Sequence, residues 1–143
     1  MLIPIFSFIV SCYILNFSYP ILIDKLDEIT PNFDKLNDIK KHYVVKNLMK
    51  TVYLCILCIL GFPFLIFSIY NYFPNIPIKI LASLYCSNDC VGLYKVKQLP
   101  TSTRLHHIIT SIFLMCTYAT DFQENKIGQM LFYYTYFSAC AFL

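Results

Sequence analysis

The sequence SLYCSNDCVGLYKVKQLPTSTRLHHIITSIFLMCTYATDFQENKIG spans residues 83–128 and decides the fold. It joins two apolar segments by a basic connector. Asp89 lies in the first segment, and His106 and His107 open the second. Ionisable side chains in apolar segments of membrane length are costly to place in lipid, so they are candidates for function by default.

The composition of the whole chain is that of a membrane protein. Of its 143 residues, 58% are hydrophobic and 13% are charged, whereas about 25% charged residues are usual in a soluble domain. The mean hydropathy is +0.61. No basic cluster combines with stacking aromatic residues outside an apolar segment, so nucleic acid is not an expected partner. The seven cysteines fall within apolar segments, which argues against a secreted disulfide framework.

The apolar runs predict an all-α, multi-pass transmembrane bundle of about five spans. These spans are residues 1–23, 51–73, 78–96, 105–122 and 127–143. A cleaved signal peptide is the alternative for the first run, although a basic start and a small-residue cleavage site are missing. We expect two parts in the chain: residues 1–45, a first helix with its polar connector, and residues 46–143, a transmembrane core that we expect to be incomplete at its C-terminus.

Two polar connectors carry most of the positive charge. Residues 24–50 hold six lysines and five acids. After a turn at residues 30–32, the apolar residues recur at helical spacing. This pattern predicts a short amphipathic helix on the membrane surface. The alternative is a solvated loop. The second connector, residues 95–104, ends in Thr101, Ser102 and Thr103, each of which can cap the next helix.

The charges on alternate connectors predict the orientation. The connectors after the first and third spans hold nine basic residues, against two in the others. Because positive loops stay cytoplasmic, we expect a lumenal or outside N-terminus and a His pair near the cytoplasmic face.

Asp89 and the His pair lie on helices joined by a short connector, so they belong to antiparallel neighbours. Their depths allow a direct or water-bridged contact between Asp89 and one imidazole. Asp89 could then orient His106 or His107 as a general base or as a pH-sensitive group. The alternative is a polar clamp that ties helices together. A metal site is not expected, because no further ligand lies nearby in the sequence.

The same residues resemble the TLC domain family. That family pairs a Tyr-x-x-x-Asp element, here Tyr85 to Asp89, with a His-His pair opening the next span. Thr117-Tyr118 and the sequence from Asn125 to Gly128 match its later elements at similar spacing. The resemblance covers roughly residues 46–143. It implies an integral protein of the endoplasmic reticulum or a related membrane, with membrane lipids as partners.

The family includes ceramide synthases, which transfer an acyl chain from acyl-CoA to a sphingoid amine. Those enzymes carry further polar residues, including carboxylates, where this chain has Thr135, Tyr136 and Ala139. The resemblance therefore favours a member that binds, senses or handles lipid and influences membrane lipid composition. The alternatives are an acyl-CoA-dependent N-acyltransferase and a structural or trafficking protein.

Candidate site residues follow from these readings. If the chain is an enzyme, His106, His107 and Asp89 are the catalytic candidates. No cofactor is expected, and acyl-CoA would be a co-substrate. Lys95, Lys97 and Arg104 would attract the phosphates of acyl-CoA or, alternatively, only anchor the protein at the membrane surface. Small residues in the last span allow packing on a second copy. The candidate ligand-binding residues are Asn88, Tyr85, Tyr118, Lys95, Lys97 and Arg104.

Overall fold

The computed structural model describes residues 2–142 and consists of five α-helices. They are α1 (Leu2–Ile29), α2 (Asp38–Ile69), α3 (Asn75–Lys95), α4 (Thr101–Ala119) and α5 (Lys126–Phe142). No strand occurs among the described residues, which confirms the all-helical class. Met1 and Leu143, the outer ends of the first and last expected spans, lie outside them.

Two of the five helices are long and apolar enough to cross a membrane. The best 18-residue windows of α1 and α2 have mean hydropathies of 1.7 and 2.6, and only 22% of each window is buried. Their apolar side chains therefore face outwards, as in Ile59, which is 73% exposed. Helix α3 carries Lys79, Asp89 and Lys95, and α5 has 17 residues. Length and composition thus support a span for α1 and for α2, and the five spans stay a prediction.

The expected surface helix is not a separate element. Residues from Asp38 onwards form the first turns of α2, which continues without a break for 32 residues and through Pro63. Asn37 caps this helix by accepting a hydrogen bond from the backbone N–H of Lys40 at 2.9 Å. The expected division between residues 45 and 46 thus falls inside α2.

Helix α3 lies at the centre of the bundle and contacts α1, α2 and α4. Many of its buried positions hold small or polar residues, such as Ser83, Ser87 and Gly92. Small residues let helices approach closely where lipid removes the hydrophobic drive for association. Gly92 shows the effect, because a Cβ atom there would lie 3.2 Å from Lys46 Cε of α2.

A hydroxyl cluster joins three of the helices at mid-height. Ser11 Oγ of α1 lies 2.7 Å from Ser87 Oγ of α3, and the Tyr53 hydroxyl of α2 also contacts Ser11. Each polar group thus finds a partner away from water, which avoids the cost of an unmade hydrogen bond. Tyr19 of α1 also lies close to Lys95 of α3, so α1 runs parallel to α3.

The turns at the opposite end of the bundle from the His pair are tied by side-chain amides. The Asn75 amide donates to Asp121 Oδ1 at 2.8 Å, and Asn75 Oδ1 accepts from the Phe122 N–H at 2.7 Å. The Asn75 bond and the Gln123 backbone N–H lower the pKa of the Asp121 carboxyl below its usual range. These bonds fix the turn between α4 and α5 against the start of α3.

Helix α5 packs on α2 and barely touches α4. The Tyr136 ring lies against Gly61, where a Cβ atom would come within 2.9 Å of it, and the Tyr136 hydroxyl donates to the Cys58 carbonyl at 3.2 Å. Phe132 meets Phe73 edge to face at 6.2 Å. The weak contact between α4 and α5 leaves a groove between them.

We predict that mild oxidation links Cys58 to Cys140. Their Sγ atoms lie 3.1 Å apart, so an approach of about 1 Å reaches the length of a disulfide bond. The detergent-solubilised protein would be treated with diamide and digested with a protease. Mass spectrometry should then detect two peptides joined by a disulfide between Cys58 and Cys140.

The Cys55→Ser variant is the control, because Cys55 is an exposed residue one turn earlier on α2. It should keep the Cys58–Cys140 link. In the wild type, a link between Cys55 and Cys140 in place of the Cys58–Cys140 link would contradict the described packing of α5 on α2.

Candidate functional site

The candidate site is built around Asp89, whose side chain is 1% exposed. His107 Nδ1 of α4 lies 2.9 Å from Asp89 Oδ1, and the Thr110 hydroxyl donates to Asp89 Oδ2 at 3.2 Å. The structure therefore brings Asp89 and the His pair into direct contact.

Helix α2 contributes Lys50 to this centre, in addition to Asp89 of α3 and the His pair of α4. Its Nζ lies 3.6 Å from Asp89 Oδ1, and its side chain is 9% exposed. A buried carboxylate needs an opposite charge and hydrogen-bond donors to offset its loss of hydration. Asp89 thus joins α2, α3 and α4 through one side chain.

The two histidines have different surroundings. His107 is fully buried, with a side-chain exposure of 0%. Although its Nδ1 is close to Asp89 Oδ1, the N–H is not aligned for a hydrogen bond, and Nε2 has no hydrogen-bond partner among the described residues. His106 is 47% exposed, and its Nε2 lies 3.8 Å from Asp89 Oδ2. Only His106 can be reached from outside.

The three side chains also have the spacing of metal ligands. Their ligand atoms all lie within 4.8 Å of one another, and imidazole and carboxylate donors suit Zn²⁺. The ammonium of Lys50 already faces the same carboxylate, however, and its positive charge opposes a divalent cation there. The charge arrangement therefore favours an ion pair over a metal centre.

Three adjoining cavities meet beside this centre. We call the first the polar cleft, with a volume of about 390 Å³. It is lined by Tyr43, Lys46, Asn47, Lys50, Leu54, Tyr85, Ser102, Thr103, His106 and Ser138. The second, the inner cavity, has a volume of about 120 Å³ and lies between α3, α4 and α5. The third, the lower cavity, has a volume of about 70 Å³ and lies between α2, α3 and α5.

Shared lining residues connect the three cavities. Tyr85 borders all of them, and His106 and Ser138 border both the polar cleft and the inner cavity. Ala82 and Thr135 border both the inner and the lower cavity. A cavity with a polar lining therefore adjoins two cavities whose linings are mainly apolar.

Of the expected ligand-binding residues, only Tyr85 borders the three cavities. Asn88 is buried and does not border them. The Tyr118 hydroxyl pairs with Ser83 Oγ at 3.0 Å, towards the far end of α4. The ammonium of Lys95 lies over the ring of Tyr19 at 5.9 Å.

Lys97 and Arg104 are exposed and do not line the polar cleft. The expected capping of α4 is wrong. This helix begins at Thr101 after Pro100, and no side chain caps it. Ser102 and Thr103 of the first turn of α4 line the polar cleft.

Lys46 and Lys50 are the residues that the sequence analysis missed. Both are buried, at 4% and 7% exposure, and they lie four residues apart on one face of α2. They were assigned to the connector because the uncharged run begins at Thr51. A lone Asp in an apolar helix requires a nearby positive charge. This requirement is the signal in the sequence from which a buried lysine could have been predicted.

No family model, curated protein or solved structure matches this chain. The assignment of the site therefore depends on its geometry.

The two histidines should respond differently to substitution. We predict that His107→Ala lowers the unfolding free energy by about 2–4 kcal/mol, because it opens a cavity and removes a contact of Asp89. His106→Ala should change it by less than about 1 kcal/mol, since His106 is half exposed. Thermal unfolding of the two purified variants in detergent measures the difference. Equal losses from both variants would contradict the described burial.

Proposed function

We propose that the chain is a membrane protein that binds a lipid, with the head group in the polar cleft and part of the tail in the inner and lower cavities. The observation that carries this proposal is that the polar cleft and the two apolar cavities adjoin one another at Tyr85. A ligand with one polar end and one apolar end fits such a gradient, because each end meets surroundings of its own polarity.

The apolar cavities are narrow, but the inner cavity borders the groove between α4 and α5, since Phe113 and Tyr134 belong to its lining. Exposed apolar side chains border this groove, among them Phe113 at 47% and Tyr134 at 70%. A tail that starts in the inner cavity can leave between the two helices and join the surrounding lipid. Entry from the side, rather than from water, is the route such a groove provides.

A membrane location is supported by α1 and α2, whose outer faces are apolar. Nine basic residues lie at the end of the bundle that holds the polar cleft, which favours a cytoplasmic position for the cleft and a lumenal N-terminus. The TLC resemblance adds a role in membrane lipid composition, in the endoplasmic reticulum or a related membrane. The positions where synthases carry further polar residues, Thr135, Tyr136 and Ala139, line the lower cavity and carry no carboxylate. Their chemistry favours binding over catalysis.

Blocking the interior should remove the lipid. We predict that Ala82→Trp reduces the lipid retained by the purified protein at least about tenfold, because the indole fills space that both apolar cavities share. Mass spectrometry of lipid extracted from the detergent-purified protein measures this amount against protein concentration.

Ala141→Trp is the matched control, since Ala141 is exposed on α5 and borders none of the three cavities. It should retain lipid as the wild type does. A wild-type protein that retains no lipid, or equal retention by both variants, would contradict the proposal.

Acyl transfer is the second candidate, and the accessibility of His106 is the observation that favours it. In this reaction the His106 imidazole takes a proton from a sphingoid amine, whose nitrogen attacks the thioester carbonyl of acyl-CoA. The new C–N bond forms, the C–S bond breaks, and the CoA thiolate leaves and receives the proton. Asp89, 3.8 Å from His106 Nε2, would stabilise the imidazolium.

This candidate predicts that incubation with acyl-CoA and a sphingoid base gives an N-acyl product. The product should fall at least about 100-fold in His106→Ala, as expected for a lost general base. The folded state of that variant can be checked by its unfolding temperature. Undiminished product from His106→Ala would exclude His106 as the base.

A further inference from the structure

The polar cleft has an excess of positive charge. Lys46 and Lys50 both line it, whereas the nearby carboxylate of Asp89 is 1% exposed and is in contact with Lys50 and His107. Among the described residues, no carboxylate lies within ion-pair distance of Lys46 Nζ, and the centre of the Tyr43 ring lies 5.9 Å from it. Lys46 is nonetheless only 4% exposed. A buried ammonium without an anionic partner is unfavourable unless a ligand supplies the anion.

Gly92 explains how Lys46 is held at this position. The aliphatic part of Lys46 passes over Gly92 of α3, and a Cβ atom there would approach Lys46 Cε to 3.2 Å. The missing side chain leaves a channel for the lysine stem across α3. The Lys46 side chain, which lines the cleft, is therefore held there by packing on the backbone of α3.

The start of α4 adds hydrogen-bond donors on the other side of the cleft. The first helical hydrogen bond of α4 runs from the Arg104 N–H to the Pro100 carbonyl at 2.9 Å. In residues 2–142 the backbone N–H groups of Ser102 and Thr103 have no hydrogen-bond acceptor, and no side chain caps the helix. Such N–H groups, with the positive end of the helix dipole, favour an anion.

We propose that the polar cleft binds a phosphate group, with the Lys46 ammonium and the backbone N–H groups of Ser102 and Thr103 as donors. Phosphate offers several acceptor oxygens and can take hydrogen bonds from two sides at once. The group could belong to a lipid head group or be free phosphate. The first source rests on the proposed lipid-binding function, and the second does not.

The test compares three probes on the full-length protein in a neutral detergent. They are oleoyl lysophosphatidic acid, monooleoylglycerol, which has the same tail without phosphate, and inorganic phosphate. We expect the wild type to bind the phosphate-bearing lipid at least about tenfold more tightly than monooleoylglycerol, since charge-assisted hydrogen bonds are made only by the former. Added salt should reduce this preference.

Lys46→Gln should lower the affinity for lysophosphatidic acid about tenfold or more and leave that for monooleoylglycerol unchanged. Lys40→Gln is the matched control, because Lys40 is exposed on the same helix and its loss changes the net charge equally. It should bind all three probes as the wild type does.

Thr103→Asp provides a second variant that does not depend on the stability of Lys46→Gln. An acidic residue in the first turn stabilises a helix, so the fold should persist while the new carboxylate repels phosphate. We expect at least a tenfold loss for lysophosphatidic acid. Thr103→Asn, which is similar in shape and neutral, should lose less affinity for lysophosphatidic acid than Thr103→Asp does, because it adds no negative charge.

The outcomes separate the two proposals. Equal binding of the two lipids, or full affinity in both Lys46→Gln and Thr103→Asp, would overturn the phosphate site and leave lipid binding intact. Binding of inorganic phosphate that requires Lys46, with no binding of either lipid, would support the phosphate site and overturn the lipid function. No binding of any probe would overturn both.

Discussion

The burial of the Asp89 carboxylate is the constraint on which the arrangement of the other helices depends. A carboxylate that is 1% exposed among apolar helices costs several kcal/mol unless positive charge and hydrogen-bond donors surround it. Lys50 supplies the charge from α2, and His107 and Thr110 supply close polar contacts from α4. Because these partners come from two helices, the contacts of the Asp89 carboxylate fix how α2 and α4 pack against α3.

The same constraint produces the candidate site. Successive residues of a helix point about 100° apart, so the contact that buries His107 leaves its neighbour His106 directed to the polar cleft. Lys50 lies one turn from Lys46, and its pairing with Asp89 places both lysines at the same end of the bundle. Helix α5 packs on α2 away from α4, and the space left between them is apolar. A polar entrance and an apolar interior thus result from a single set of packing requirements.

The apolar runs predicted the five helices, and the short connector predicted that Asp89 would meet the His pair. Lys46 and Lys50 could not be placed in the same way, because charge marks a connector in a sequence while the helix itself begins at Asp38. The expected cap of α4 was wrong because the hydroxyl residues follow Pro100 inside the helix. Lys95 lies over Tyr19, and that contact depends on the approach of α1, which no local pattern encodes.

A double-mutant cycle on Lys50 and Asp89 tests the central claim most directly. Unfolding free energies in detergent would be measured for the wild type, Lys50→Met, Asp89→Asn and the double variant. If the buried pair governs the packing, each single variant removes the contact between Lys50 and Asp89. The double variant should then recover about 1–3 kcal/mol relative to the sum of the single losses. Additive losses, with a coupling near zero, would contradict the account.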